Sequence, residues 1–309
     1  MTNTVQPIPV TSFDNISNVL EQLETILLGK RDQLELCVAC MLAKGHLLIE
    51  DVPGTGKTTL AQALGVSMGL GWKRVQFTSD LLPADIVGVS VFNTQTQQFD
   101  FREGPVFTSV LLADEINRAP PKAQSALLEA MEERQISVDG TTYELPDEFF
   151  VIATQNPAEQ LGAYPLPESQ LDRFLVGLTL GYPDPTTERA LMKSGDKRSL
   201  INDLTPVAST RQLEQWREQA QTTHLSDSIY DYIQALLVRS RQGSTGLSPR
   251  AGLSLVRLCK AIAYLDKRDH ALPEDVQRAF PALAGHRLTG RVSTGNAAAI
   301  DILNSVPSP

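Results

Sequence analysis

From Leu47 to about Gly181 short apolar runs alternate with stretches in which apolar residues recur every three or four positions. That pattern predicts parallel strands covered by helices. The runs are HLLIE at 46–50, WKRVQF at 72–77, SVLLAD at 109–114, FFVIAT at 149–154 and FLVGLTL at 174–180. Between them, Leu60, Ala61, Leu64 and Met68 share one helical face, and Ala123, Leu127, Ala130 and Met131 share another after Pro120-Pro121, residues suited to a helix start. Two segments, 87–101 and 134–146, read as β-hairpins, the second turning at Asp139-Gly140. Beyond Tyr182-Pro183-Asp184-Pro185 only helical patterns follow, at 186–194, 209–220, 226–241, 249–268 and 273–284, with Pro249 and Pro273 near helix starts and Asp227 and Ser248 as caps. A boundary is therefore expected between residues 1–183, an α/β unit with preceding helices and two hairpin inserts, and 184–309, a smaller helical unit.

Composition narrows the function classes. The 309 residues are 42% hydrophobic and 20% charged, enough apolar material for a sizeable core. The net charge of −9 argues against wholesale binding of a polyanion. No apolar run approaches the roughly 20 residues of a membrane span, and the start MTNTVQPIPV does not resemble a secretory signal. Three cysteines fit a reducing compartment, so the cytoplasm is expected. Cys37 and Cys40 form a CxxC, yet they sit in an apolar helical stretch with no second half-site, and core packing is the better reading. Trp72 and Trp216 read as packing anchors, and Arg239 with Arg241 as a solvated helix face.

The chemistry concentrates after the first strand, in Asp51-Val52-Pro53-Gly54-Thr55-Gly56-Lys57-Thr58-Thr59. Glycines there let backbone N–H groups turn inward onto phosphate oxygens at a helix N-terminus. Lys57 would reach the β and γ phosphates and the Thr58 hydroxyl would hold Mg²⁺. The strict pattern has Gly where this chain has Asp51. A second strand ends in Asp114-Glu115, at the edge where open α/β sheets bind ligands. Asp114 would act on Mg²⁺ directly or through water, and Glu115 would orient or deprotonate the attacking water. Asn156, at the end of the next strand in Gln155-Asn156-Pro157, either touches the γ-phosphate or the lytic water, or starts a turn. Together these segments imply nucleoside triphosphate hydrolysis.

The stretches DVPGTGKTTLAQAL, FTSDLLPADIVG, DEINRAPPKAQSALLEAMEERQ, ATQNP, PLPESQLDRF and LSPRAGLSLVRLCKA together resemble a MoxR-type AAA+ ATPase, over about Leu28 to His286. The resemblance implies an α/β fold class, a P-loop AAA+ parallel sheet with helices on both faces followed by a smaller all-α lid. It matches Lys57 and Thr58 to Walker A, Asp114 and Glu115 to Walker B, and Asn156 to sensor 1. Arg173 matches the arginine finger inserted into a neighbouring subunit's site, and Arg250 matches sensor 2 of the lid. Leu28-Gly29-Lys30 resembles the segment packing near adenine, and Arg118 follows the acidic pair at a position that suits a subunit interface. The implied cofactors are ATP and Mg²⁺. The implied partners are further copies of the chain in a ring, most often a hexamer, and a client protein, commonly with a von Willebrand factor A domain partner. The hairpins resemble inserts that face the ring pore and touch the client. A related DNA-acting branch would need basic residues on them, and 88–101 carries Phe92, Phe99 and Phe101 but no Lys or Arg, while 136–145 has none either. A nucleotide-gated binding module with little turnover is the other alternative, and Glu115, Asn156 and Arg173 speak against it.

Overall fold

The computed structural model describes residues 10–156, 163–194, 200–201, 203–243 and 246–309; Pro157 and residues 1–9 lie outside them. Two helices, α1 (Val10–Ile26) and α2 (Arg31–Leu42), precede strand β1 (Leu47–Glu50). Then come α3 (Lys57–Ser67), β2 (Trp72–Gln76), α4 (Pro83–Val87), the hairpin β3 (Gly88–Asn93) and β4 (Gln98–Glu103), and β5 (Val110–Asp114). Helix α5 (Pro121–Glu133), the hairpin β6 (Gln135–Val138) and β7 (Thr141–Glu144), β8 (Phe150–Gln155), α6 (Glu168–Leu171) and β9 (Val176–Leu178) complete the sheet region. After it run α7 (Pro185–Ser194), α8 (Thr210–Thr222), α9 (Asp227–Ser240), α10 (Pro249–Leu265), α11 (Pro273–Thr289) and α12 (Val292–Ser305).

The five apolar runs pair in parallel in the order β2-β5-β8-β1-β9. Strands β1, β5 and β8 are buried almost throughout because helices cover both faces, whereas edge strand β2 exposes its polar residues. Cys37 and Cys40 are buried among apolar side chains, as their helical context predicts, and Cys259 is buried in the same core. Trp216 is fully enclosed and Trp72 packs at the margin of the same core. In the second hairpin Asp139 and Gly140 both have positive φ, 51° and 80°, the conformation a two-residue turn of matching twist requires.

Several elements differ from the pattern reading. The cap of α9 is Ser226, and Asp227 is its first helical residue. Ser248 does cap α10, its hydroxyl accepting from Ala251 N at 3.1 Å. Arg239 and Arg241 are not merely solvated: they donate to Ser305 Oγ and to Leu247 O, each at 3.0 Å. The largest departure is at the C-terminal side, where α11 runs on to Thr289, Gly290 ends it at φ 73°, and α12 follows. Periodicity misses α12 because Gly295 and Asn296 weaken local propensity. Tertiary packing supplies what propensity lacks: a Cβ on Gly295 would fall 1.8 Å from Gly285 O, so the two helices approach backbone to backbone. Val292 N also donates to Glu50 Oε2 at 2.5 Å, tying α12 to the end of β1.

His46, just before β1, joins the sheet to α5. Its Nδ1 accepts from Val151 N at 3.0 Å, so Nε2 carries the proton and donates to Met131 O at 3.2 Å. Burial, then the Arg134 cation, hold its pKa down to about 3. The folded chain thus keeps this ring neutral where an unfolded chain, with a pKa near 6.5, protonates it. Its contribution to stability is complete above about pH 6.5 and falls by up to ~1.4 kcal/mol per unit as pH drops toward 3. Urea titrations at pH 7 and pH 5 are expected to show the wild type losing stability, and His46→Gln reducing that pH slope.

Candidate nucleotide site

The loop between β1 and α3 owes its shape to two glycines. Gly54 and Gly56 take φ values of 89° and 97°, and Gly56 is the residue on which α3 begins. A Cβ at Gly54 would meet nothing within 4 Å and one at Gly56 would meet only Leu27 Cδ2 at 3.0 Å, so the left-handed backbone, rather than crowding, demands glycine there. Asp51, where the strict pattern has glycine, earns its position through its carboxylate: Oδ1 accepts from Val52 N at 2.8 Å and Oδ2 from Gly181 N at 2.7 Å. It pins the start of the loop to the chain leaving β9.

Lys57 points back into this loop, donating to the carbonyls of Asp51 and Val52 at 2.7 and 2.9 Å. Burial lowers its pKa, against the pull of Asp51, Asp114 and Glu115. The ammonium is therefore held between backbone carbonyls, the kind of site where phosphate oxygens compete well.

The acidic strand end is organised by neighbours that the sequence reading does not single out. Thr154 Oγ1 donates to Asp114 Oδ1 at 2.6 Å and accepts from Glu115 N at 2.9 Å, bridging β8 and β5. Arg74 donates to Asp114 Oδ2 through Nη2 at 2.6 Å and Nε at 3.2 Å. Glu115 sits at φ 57°, rare for a residue with a side chain, and its Oε2 accepts from Gln76 at 2.7 Å and Arg118 at 2.9 Å. Arg118 thus turns toward the acidic pair of its own chain. Arg74 and Gln76 share one face of β2, two residues apart, and Gln76 is in register with Asp114. The alternation along 72–77 marks a half-exposed strand, and nothing in it distinguishes these two from surface residues.

One cleft of about 930 Å³ gathers these groups. Pro53, Gly54, Thr55, Gly56, Lys57, Thr58 and Thr59 form its floor, and Asp114, Glu115, Thr154 and Asn156 form one wall. Leu27, which adjoins Gly56, and Leu28, Lys30, Tyr182, Pro183 and Leu191 line its more apolar end, with Lys30 Nζ donating to Tyr182 O at 2.8 Å. Gly29 makes the turn beneath that end, with φ 68° and its Cβ direction facing Thr187 and Asp184. A phosphate-sized cradle at a helix start and an apolar end fit a nucleotide, and the volume suffices for one. Among the described residues no group of three or more His, Cys, Asp or Glu could hold a metal alone. That suits Mg²⁺, which is usually held by one or two side chains together with substrate phosphates; Thr58 and Asp114 are the side chains available.

Arg173 and Arg250 lie outside the cleft. Arg173 Nη1 donates to Leu128 O at 2.6 Å, and Arg250 Nη1 donates to Glu132 Oε1 at 2.7 Å. Asp172 is paired with Arg287 at 2.7 Å rather than with its neighbour Arg173.

A glycine loop closing a central parallel strand, a helix opening on its lysine and an acidic end on a nearby strand define a P-loop ATPase domain with a helical lid. Residues 46–176 match the ATPase family associated with various cellular activities (AAA), and residues 237–305 match the AAA lid domain. The chain is 45% identical over 276 residues to the uncharacterized protein YeaC of Bacillus subtilis, covering 88% of this chain and 86% of that one. It is 36% identical over 286 residues to Chaperone MoxR1 of Mycobacterium tuberculosis, covering 88% and 75%. A crystal structure of a candidate ATPase from Cytophaga hutchinsonii superposes with a TM-score of 0.87 at 33% identity, covering 97% of this chain and 96% of the other. The chain belongs to the MoxR-type AAA+ ATPases. No described helix is long and apolar enough to cross a membrane.

Proposed function

We propose that the chain hydrolyses ATP with Mg²⁺ in a homo-oligomeric ring, a hexamer, and uses the cycle to mature, activate or assemble a client protein complex. The observation that carries this reading is the convergence of Lys57, Thr58, Asp114, Glu115 and Asn156 on one cleft, while Arg173 and Arg250 stand away from it. The loop N–H groups and Lys57 bind the phosphate chain. Thr58 and Asp114 hold the cation, which neutralises phosphate charge when bound. Glu115 orients the lytic water and takes its proton, and Asn156 fixes the water or the γ-phosphate. Arg173 and Arg250, which do not line the cleft of their own chain, act on the phosphates of the adjoining copy.

A protein client, with a von Willebrand factor A domain partner, is favoured over nucleic acid. The first hairpin presents Phe92 and Phe99, 51% and 71% exposed and packed edge to face at 5.3 Å, and the chain is acidic overall. The test is phosphate release from ATP by the full chain. Lys57→Ala is expected to abolish both nucleotide binding and turnover, and EDTA to abolish turnover. Unchanged turnover by Lys57→Ala would place the reaction elsewhere.

A further inference from the structure

Helix α5 ends in a carboxylate that the mechanism above does not use. Glu132 and Glu133 occupy its last turn, where the helix dipole disfavours negative charge. Glu132 is nonetheless engaged twice: Oε1 accepts from Arg250 at 2.7 Å, and Oε2 lies 3.7 Å from Arg173 Nη1. These are the two arginines assigned above to the neighbouring copy's phosphates, and they come from different elements. Arg173 follows α6, and Arg250 lies in the first turn of α10.

The framework around the pair is rigid. Arg287 of α11, itself buried, donates to Asp172 Oδ1 at 2.7 Å and to the carbonyls of Asp172 and Phe174 at 3.1 and 2.7 Å, fixing the backbone on both sides of Arg173. Ser248, the cap of the helix bearing Arg250, donates to Asp172 Oδ2 at 3.4 Å. His46 anchors the end of α5 through Met131 O. Within this framework Arg173 Nη1 also donates to Leu128 O at 2.6 Å, and what remains to be set is the approach of the Arg250 guanidinium to that of Arg173. Left alone the two cations repel each other and Arg250 explores many rotamers. One carboxylate between them removes the repulsion and leaves a net positive charge that still attracts phosphate. The Glu132 side chain is 30% exposed and that of Arg250 is 60% exposed, so the ion pair contributes little to folding.

We infer that Glu132 is a positioning residue of the shared ATPase site: its carboxylate holds Arg173 and Arg250 side by side so that both reach the phosphates bound by the adjoining copy. This rests on the proposed inter-subunit site. It assigns Glu132 to the chain that lends the arginines, not to the chain that binds the nucleotide.

The experiment exploits that asymmetry. Full-length Lys57→Ala chains, which can lend arginines but not bind nucleotide, are mixed with Arg173→Ala chains, which bind nucleotide but lend no finger. Restored ATPase activity is read with Glu132→Ala added to one chain or the other. Added to the Lys57→Ala chain it is expected to lower the restored rate roughly 10–100-fold; added to the Arg173→Ala chain it should have no effect. Glu132→Gln, which keeps an acceptor for Arg250, should fall between wild type and Glu132→Ala. Equal loss from both sides, no loss from either, or a higher rate when Glu132 is removed overturns the inference and leaves the shared site standing. Failure of the parent mixture to regain activity overturns the shared site, and this inference with it.

Discussion

Glu115→Gln is expected to bind ATP as tightly as the wild type and to hydrolyse it about 10²–10⁴-fold more slowly, a rise of roughly 3–5 kcal/mol in the barrier. The amide is the same size as the carboxylate and can still accept from Arg118, so the local hydrogen bonding around the φ 57° turn is largely kept. Only the capacity to accept a proton is lost. Phosphate release measured beside the affinity for a fluorescent nucleotide separates the two effects. Turnover within about threefold of wild type would remove Glu115 from the role of base, given the size of that effect in enzymes that use one.

Arg173→Ala is expected to lower turnover by about 10³–10⁵-fold, the range for an arginine lent to a transferring phosphoryl group. The loss should leave nucleotide affinity in place, because Arg173 touches α5 and not the cleft of its own chain. For the wild type, the rate per chain should fall on dilution as copies separate. Mixing Arg173→Ala with Lys57→Ala should restore part of the activity, since each supplies what the other lacks. A rate per chain that is flat with concentration, together with a silent Arg173→Ala, would contradict a shared site.

How much of this was legible depended on sequence distance. The phosphate loop could be read directly because strand, glycines, lysine and helix are contiguous, and their φ requirements are local. Asp139-Gly140 was readable for the same reason. Asp51 was legible only as a departure from pattern; its bond to Gly181 N joins the ends of the neighbouring strands β1 and β9, and the two residues are 130 apart in the chain. Arg74 and Gln76 were not legible, because their partners Asp114 and Glu115 lie on another strand and become neighbours only through parallel register. Thr154 belongs to an apolar run, and its role as bridge depends on β8 lying beside β5.

The sequence by itself therefore determined the order of the five sheet strands, the two hairpins and most of the longer helices along the chain, the glycine-lysine loop, the acidic strand end and the family. Each is carried by short-range backbone preference, hydrophobic period or a contiguous motif. The tertiary structure alone decided that α12 packs backbone to backbone on α11, that Arg74 and Thr154 share Asp114, and that Glu132 faces two distant arginines. Those outcomes depend on which elements come to lie side by side, and charge pairing and close helix contact act through space.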